Sequence, residues 1–224
     1  MQYIQIYEPP QGVDIDPLRA LEQTATDAPF ILCRVRRSAD GVLFAQNDAL
    51  LIDRCSLDKR VDQLTFKEIS ALYTLCGYNV LTFEQLMNYQ GKKRVVLHLR
   101  GFRPSARILS WIAENPMFGI GSDSVVQMPA LIEGYPTLKT IGFACYMPIA
   151  VQLLEAGACG IVMYGRHLSQ YTAAELAPLR GKPLYIEPLI DYIETAETAA
   201  RYADGLPVDG IVSGKMTAPE GRNR

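Results

Sequence analysis

The chain has 224 residues, 49% of them hydrophobic and 21% charged, with a net charge of −2. That composition suits a sizeable core, expected as one domain over residues 1–224, and offers no broad basic field for nucleic acid. No apolar run reaches the roughly 18 residues of a membrane span, and MQYIQIYEPPQG has neither the basic nor the apolar region of a signal peptide, so a cytoplasmic protein is expected.

Short apolar runs alternate with helical patterns. The first predicted strand is 3–6. Asp16-Pro17 then starts a helix with a capping side chain and a proline at the first helical position. Strands follow at 30–35 and 42–46. Thr65 opens the next helix, with Glu68 three residues on completing a capping box. Thr82 opens another. Strand 94–99 is followed by a helix from Pro104, and strand 124–128 comes next. Strand 140–145 leads to a helix from Pro148, and strand 160–164 to one from Thr172. Strand 183–187 leads to one from Thr195, and 210–213 is the last strand.

Several strands are rich in Val and Ile and bounded by Gly, Pro or Asp, as buried parallel strands are. Strand and helix alternating about eight times predict an α/β fold, a TIM (β/α)8 barrel. There are nine candidate strands, so 42–46 or 160–164 is expected to lie outside the barrel. No GxGxxG or GxxxxGK[ST] loop follows any strand, which argues against a doubly wound nucleotide-binding sheet. The five cysteines show no CxxC pair, so neither a disulfide framework nor a zinc site is expected; small buried residues fit better.

In such a barrel the functional residues lie at the C-terminal strand ends. The sequence nominates Tyr7, Glu8, Leu32, Arg34, Asn47, Asp48, His98, Arg100, Gln127, Tyr146, Tyr164, Glu187 and Lys215. Alternation puts Leu32 and Arg34 on one face of their strand, and His98 and Arg100 on one face of theirs.

Several stretches carry a resemblance. Residues 31–35 read ILCRV, 40–48 DGVLFAQND and 64–72 LTFKEISAL. Residues 81–87 read LTFEQLM, 96–100 VLHLR and 209–214 DGIVSG. The chain resembles the glycerophosphodiester phosphodiesterase family, moderately specifically over 30–100 and more thinly beyond. The resemblance implies a TIM barrel and hydrolysis of phosphoric diesters in lipid and glycerol metabolism. It also implies a calcium or magnesium ion held by two acids on strand two and a glutamate on strand four, with two histidines as acid and base.

Aligned on Asp40-Gly41, the strand-two acids fall on Leu32 and Arg34. The second histidine falls on Asn47 and the glutamate on His98. Asp48 is kept, and Arg100 stands for the family lysine. Hard cations need several oxygen ligands. Leucine supplies none, and a guanidinium repels the ion. An amide such as Asn47 does not titrate near neutral pH. The expectation is therefore no metal cofactor and no hydrolysis.

Individually these residues have plain structural readings. Arg34, Arg36 and Arg37 suit a solvated strand end, His98 a hydrogen-bonded core histidine and Asp48 a turn. Jointly, Arg34, His98 and Arg100, with Asn47, Asp48 and Glu187, suggest a pocket for a small phosphorylated or anionic ligand, because arginine binds phosphate bidentately. An active diesterase using Glu8, Asp48, His98 and Glu187, and a non-enzymatic interaction scaffold, are the alternatives. Homo-oligomerisation is left open.

Overall fold

A computed structural model describes residues 2–23, 30–47, 49–51, 55–168, 170–187 and 204–213. Asp48, Lys215 and most of the helix predicted from Thr195 lie outside them. The fold is α/β, of the TIM-barrel class. It divides into two compact units, one of residues 1–6, 26–30 and 121–224, the other of 7–25 and 31–120. Two strands straddle the division: β2 enters the second unit after Phe30, and β7 leaves it after Ile120.

The second unit holds β2 (Phe30–Arg37), β3 (Leu43–Ala45) and β6 (Arg94–Leu99), with the start of β7 (Phe118–Ser122). Its helix α1 (Pro17–Glu22) starts as predicted: the Asp16 carboxylate accepts from the Leu18 N–H at 3.0 Å. In sheet order β6, β2 and β3 are neighbours. β3 runs antiparallel to β2, pairing Val35 with Ala45 and Arg37 with Leu43. Of the two runs suspected of lying outside the barrel, this is the odd one. The chain then makes a two-stranded hairpin that sequence reasoning did not foresee, β4 (Leu50–Leu51) with β5 (Leu57–Arg60).

Helix α2 (Phe66–Leu75) follows. Its predicted capping box is complete: the Thr65 hydroxyl accepts from the Glu68 N–H, and the Glu68 carboxylate accepts from the Thr65 N–H. Thr82 and Gln85 repeat the device at α3 (Phe83–Leu86). Phe44, Leu51, Val61, Ile69, Tyr73 and Val80 bury one apolar cluster under this insertion. The unit's last helix is α4 (Ala106–Glu114), capped by Ser105. Its Trp111 packs at 4.7 Å on Phe118, which meets Tyr89 edge-on.

The other unit begins with β1 (Gln2–Gln5), which pairs in parallel with β11 (Gly210–Ser213). β11 is followed in sheet order by β10 (Leu184–Glu187), β9 (Gly160–Tyr164) and β8 (Thr140–Ala144), all parallel. β9 is thus paired on both sides and is not the irregular strand. Helices α5 (Gln127–Gly134), α6 (Met147–Glu155) and α7 (Gly165–Leu168) complete the unit. Met128, Leu153, Ile161, Met163, Ile186 and Ile211 belong to its core.

Two predicted elements are corrected. The strand expected at 124–128 is instead β7, six residues earlier. The Ser122 hydroxyl accepts from the Ser124 N–H and the Ser124 hydroxyl from the Gln127 N–H, so two serines end the strand and start a helix. Gln127 therefore begins α5 and is not a strand-end residue. The helix expected after Thr172 does not propagate. Thr172 and Glu175 form the capping contacts, but only turns and a 3-10 turn over Ala177–Leu179 follow. Pro178 lacks the N–H an α-helix needs there, and its ring would meet the carbonyl of Ala174.

The cysteines also depart from expectation. None forms a disulfide, but only Cys33 is buried, and its thiol is pushed up to about 12 by desolvation. Cys145 and Cys159 are exposed.

Candidate functional site

The C-terminal end of β2 and the residues after β6 gather a cluster of cations in one unit. The Arg100 N–H donates to the Val35 carbonyl at 3.1 Å, which sets Arg100 beside the end of β2. Arg34 is buried at 4% exposure and His98 at 1%. Desolvation is the main cause that pushes the His98 imidazole well below its ordinary value of 6.5. The charges of Arg34, Arg100 and Arg36 push it in the same direction. Those three guanidinium groups thus act on one imidazole, which stays neutral at pH 7.

Asn47 lies just past β3 and is 7% exposed. Its side-chain amide donates to the Glu8 carboxylate at 3.3 Å, and its carbonyl accepts from Arg36 Nη2 at 3.0 Å. Asn47 Oδ1 has no hydrogen-bond partner among the described residues. Next to it the Tyr73 hydroxyl donates to Gln46 Oε1. The solvated strand end read for the arginines holds for Arg37 alone; Arg34 is buried and Arg36 half-buried.

A cavity of about 610 Å³ opens beside these groups. It is lined by Arg36, Arg37, Asp40, Arg60, Asp62 and Arg100, with Ser38, Gly41 and Gly101 among the small residues between them. Both of its carboxylates are engaged. Asp40 Oδ1 accepts from Ser38 Oγ at 2.6 Å and from the Phe66 N–H at 2.8 Å, and these bonds hold its carboxyl below the usual carboxylate range. Asp62 takes a bidentate pair from Arg60, at 2.9 and 2.6 Å, which lowers it likewise. Arg37 stands 5.9 Å over the Phe102 ring.

Of the residues nominated from sequence, Arg100 lines this cavity. Arg34 and His98 do not, although Arg100 and Arg36 act on His98 electrostatically. Asp48 lies outside the described residues. Glu187 ends β10, buried, in the other unit, in register with Tyr164. Tyr7 is buried with its hydroxyl on the Pro17 carbonyl, while Tyr146 is exposed and meets the His167 ring at a tilt, 4.7 Å between centroids. Arg60 and Asp62 were missed. Their only signal is the charged run 58–60, which reads equally well as a solvated face.

Among the described residues, the positions that the family resemblance assigns to the dication do not fit calcium or magnesium. Leu32 is fully buried and apolar, and a buried cation, Arg34, follows two residues on. Hard dications need a shell of oxygens. Among the described residues no three His, Cys, Asp or Glu side chains gather closely enough to hold a metal ion.

The barrel is a fold that other proteins share. By sequence, no protein-family model and no curated protein matches the chain. By structure, the chain has the fold of the glycerophosphodiester phosphodiesterases. A Galdieria sulphuraria protein assigned to that activity superposes with a TM-score of 0.70 at 16% identity, over 95% of this chain and 93% of that one. The Agrobacterium tumefaciens strain C58 glycerophosphodiester phosphodiesterase gives 0.63 at 18% identity, covering 96% of each chain. An Oleispira antarctica phosphodiesterase, in complex with its product sn-glycerol-3-phosphate, gives 0.63 at 12% identity over 96% of this chain and 93% of that one.

Proposed function

We propose that the chain is a glycerophosphodiester phosphodiesterase-like barrel that has lost hydrolysis and binds a small phosphorylated or otherwise anionic ligand. The observation that carries this reading is the cavity lined by four arginines and only two carboxylates, of which Asp62 is paired with Arg60 and Asp40 is bonded to Ser38 and the Phe66 N–H. Arginine forks match phosphate oxygens with charge-assisted hydrogen bonds. The sn-glycerol-3-phosphate held by the Oleispira relative is a ligand of this class.

Loss of hydrolysis follows from the same residues. The positions that the family resemblance assigns to the dication are Leu32, Arg34 and His98 here, and Asn47 stands where it assigns a proton carrier. A neutral, desolvated His98 surrounded by cations is a poor acid or base near neutral pH, since its pKa lies far from the working range. The family's place in lipid metabolism would then survive as recognition of a phosphorylated metabolite.

The test has two arms. Incubated with glycerophosphocholine and calcium or magnesium, the protein releases no glycerol 3-phosphate above a blank, while titration calorimetry detects phosphate binding that Arg100→Gln weakens. Metal-dependent turnover that His98→Ala abolishes contradicts the loss of activity.

A further inference from the structure

The insertion that carries β4, β5 and α2 holds a cysteine pair that the proposed function leaves unused. The Cys55 thiol donates to the Leu72 carbonyl at 3.6 Å, and the Cys76 N–H donates to that same oxygen at 3.1 Å. The sulfur of one cysteine and the backbone of the other are therefore no further apart than two hydrogen bonds laid end to end. Cys76 is the C-cap of α2, and its backbone keeps near-helical angles, φ −88° and ψ 5°. It follows the buried Ile69 and Tyr73 at helical spacing, so it falls on the face of α2 that packs the apolar cluster. Cys55 packs against that cluster too. Both cysteines are half-buried.

Ser56 fixes the approach of Cys55. It is the one described residue other than glycine with a positive φ, 52°, a conformation that costs any residue with a Cβ. It turns the chain from Cys55 into β5. The remaining cysteines are set apart: Cys33 is fully buried, and Cys145 and Cys159 belong to the other unit. We propose that Cys55 and Cys76 form a reversible disulfide that straps the hairpin segment to the end of α2. A disulfide spans Cα separations of roughly 4.4–6.8 Å. Closing this one calls for side-chain rotation and adjustment of the loop at Cys55 rather than of α2, which its own hydrogen bonds hold.

The step needs an oxidant, and a low-molecular-weight disulfide supplies it. The thiolate of one cysteine attacks the small disulfide, bonds to one sulfur and displaces the other as a thiolate. The thiolate of the second cysteine then attacks the protein sulfur of that mixed disulfide and displaces the remaining small thiolate. The pair loses two electrons and two protons, and the small disulfide becomes two thiols. Excess small thiol reverses both steps. The closed ring contains β5 and the turn Val61–Gln63, which bring Arg60, Val61 and Asp62 to the cavity wall. Oxidation fixes that part of the wall, chiefly by removing freedom from the unfolded chain, and reduction releases it.

The experiment incubates the full folded chain with hydroxyethyl disulfide, blocks the remaining thiols and maps tryptic peptides by mass spectrometry without reduction. Trypsin cuts after Arg54, Lys59, Lys67 and Lys92, so each cysteine stands alone in its peptide, 55–59 or 68–92. The expected product is these two peptides joined, as the major form of both, and lost on adding dithiothreitol. Cys55→Ser and Cys76→Ser should each leave the other cysteine with a mixed adduct only. The oxidised chain should also unfold at a higher urea midpoint than the reduced chain, a difference absent from either variant. Mixed adducts or unmodified thiols in place of the joined peptides, joining that occurs only in urea, or pairing of either cysteine with Cys33, Cys145 or Cys159 overturns the disulfide. Joined peptides with an unchanged urea midpoint overturn the strap.

Discussion

His98 carries the most direct consequence of the charge cluster. Its folded pKa lies well below 6.5, mainly through burial and then through Arg34, Arg100 and Arg36. An imidazole in the unfolded chain titrates near 6.5. Above that pH neither state is protonated and His98 has no effect on the pH dependence. Below it the unfolded state takes up a proton that the folded state refuses, so stability is lost as pH falls, by up to about 1.4 kcal/mol per pH unit for one group. His98→Gln should remove this component. Denaturant melts should show wild type falling more steeply than the variant between pH 6.5 and 5. Parallel curves would mean that His98 is not desolvated among cations. Leu32, Arg34 and His98 were singled out from sequence because Asp40-Gly41 sets the alignment and alternation the face, yet Arg34 and His98 do not line the cavity. Arg60 was not, because it reaches the cavity through the hairpin of β4 and β5, and short hairpins carry little periodic signal.

At the scale of elements, side chains that bond to the backbone decide where helices start. The Thr65–Glu68 box starts α2, and Asp40 joins the same N-terminus by accepting from the Phe66 N–H. That bond ties the loop after β2, which lines the cavity, to the helix. Thr65→Ala should cost about 1 kcal/mol of stability, read as a lower denaturation midpoint with an unchanged m-value, and should also weaken phosphate binding by loosening Asp40. An unchanged midpoint would show that the box contributes nothing. The same local chemistry explains what sequence reading mistook. Residues 124–128 look like a strand by hydrophobicity, yet Ser122 and Ser124 bond to N–H groups two and three residues ahead and turn the chain into α5. Residues 173–180 look like a helix by composition, yet Pro178 stops it. Apolar periodicity reports the core face; the serine and proline bonds that override it act at single positions.

On the scale of the whole molecule, a barrel fold persists at 12–18% identity to phosphodiesterases. The fold was legible because burial patterning tolerates substitution, provided the apolar period is kept. The proposed loss of the metal site rests on the sequence alone, because leucine and arginine cannot stand in for carboxylates. The cavity was only partly legible: Arg100 was foreseen and Arg36 and Arg37 were read as a solvated strand end, but Arg60 and Asp62 come from an insertion whose pairing had no sequence signature. No helix among the described residues is long and apolar enough to cross a membrane, so the ligand reading does not draw on a membrane-spanning segment.

The central proposal is that the arginine-lined cavity binds an anion, and thermal unfolding in phosphate tests it most directly. A ligand that binds only the folded state stabilises it by RT ln(1 + [L]/Kd), about 2.7 kcal/mol at a hundredfold excess over Kd. Millimolar phosphate or glycerol 3-phosphate should therefore raise the melting temperature by several degrees, while sodium chloride at matched ionic strength should not. Arg100→Ala should lose most of that rise. No phosphate-specific shift, or an equal shift in wild type and Arg100→Ala, would contradict the account and leave the barrel as a scaffold whose arginines serve its own packing.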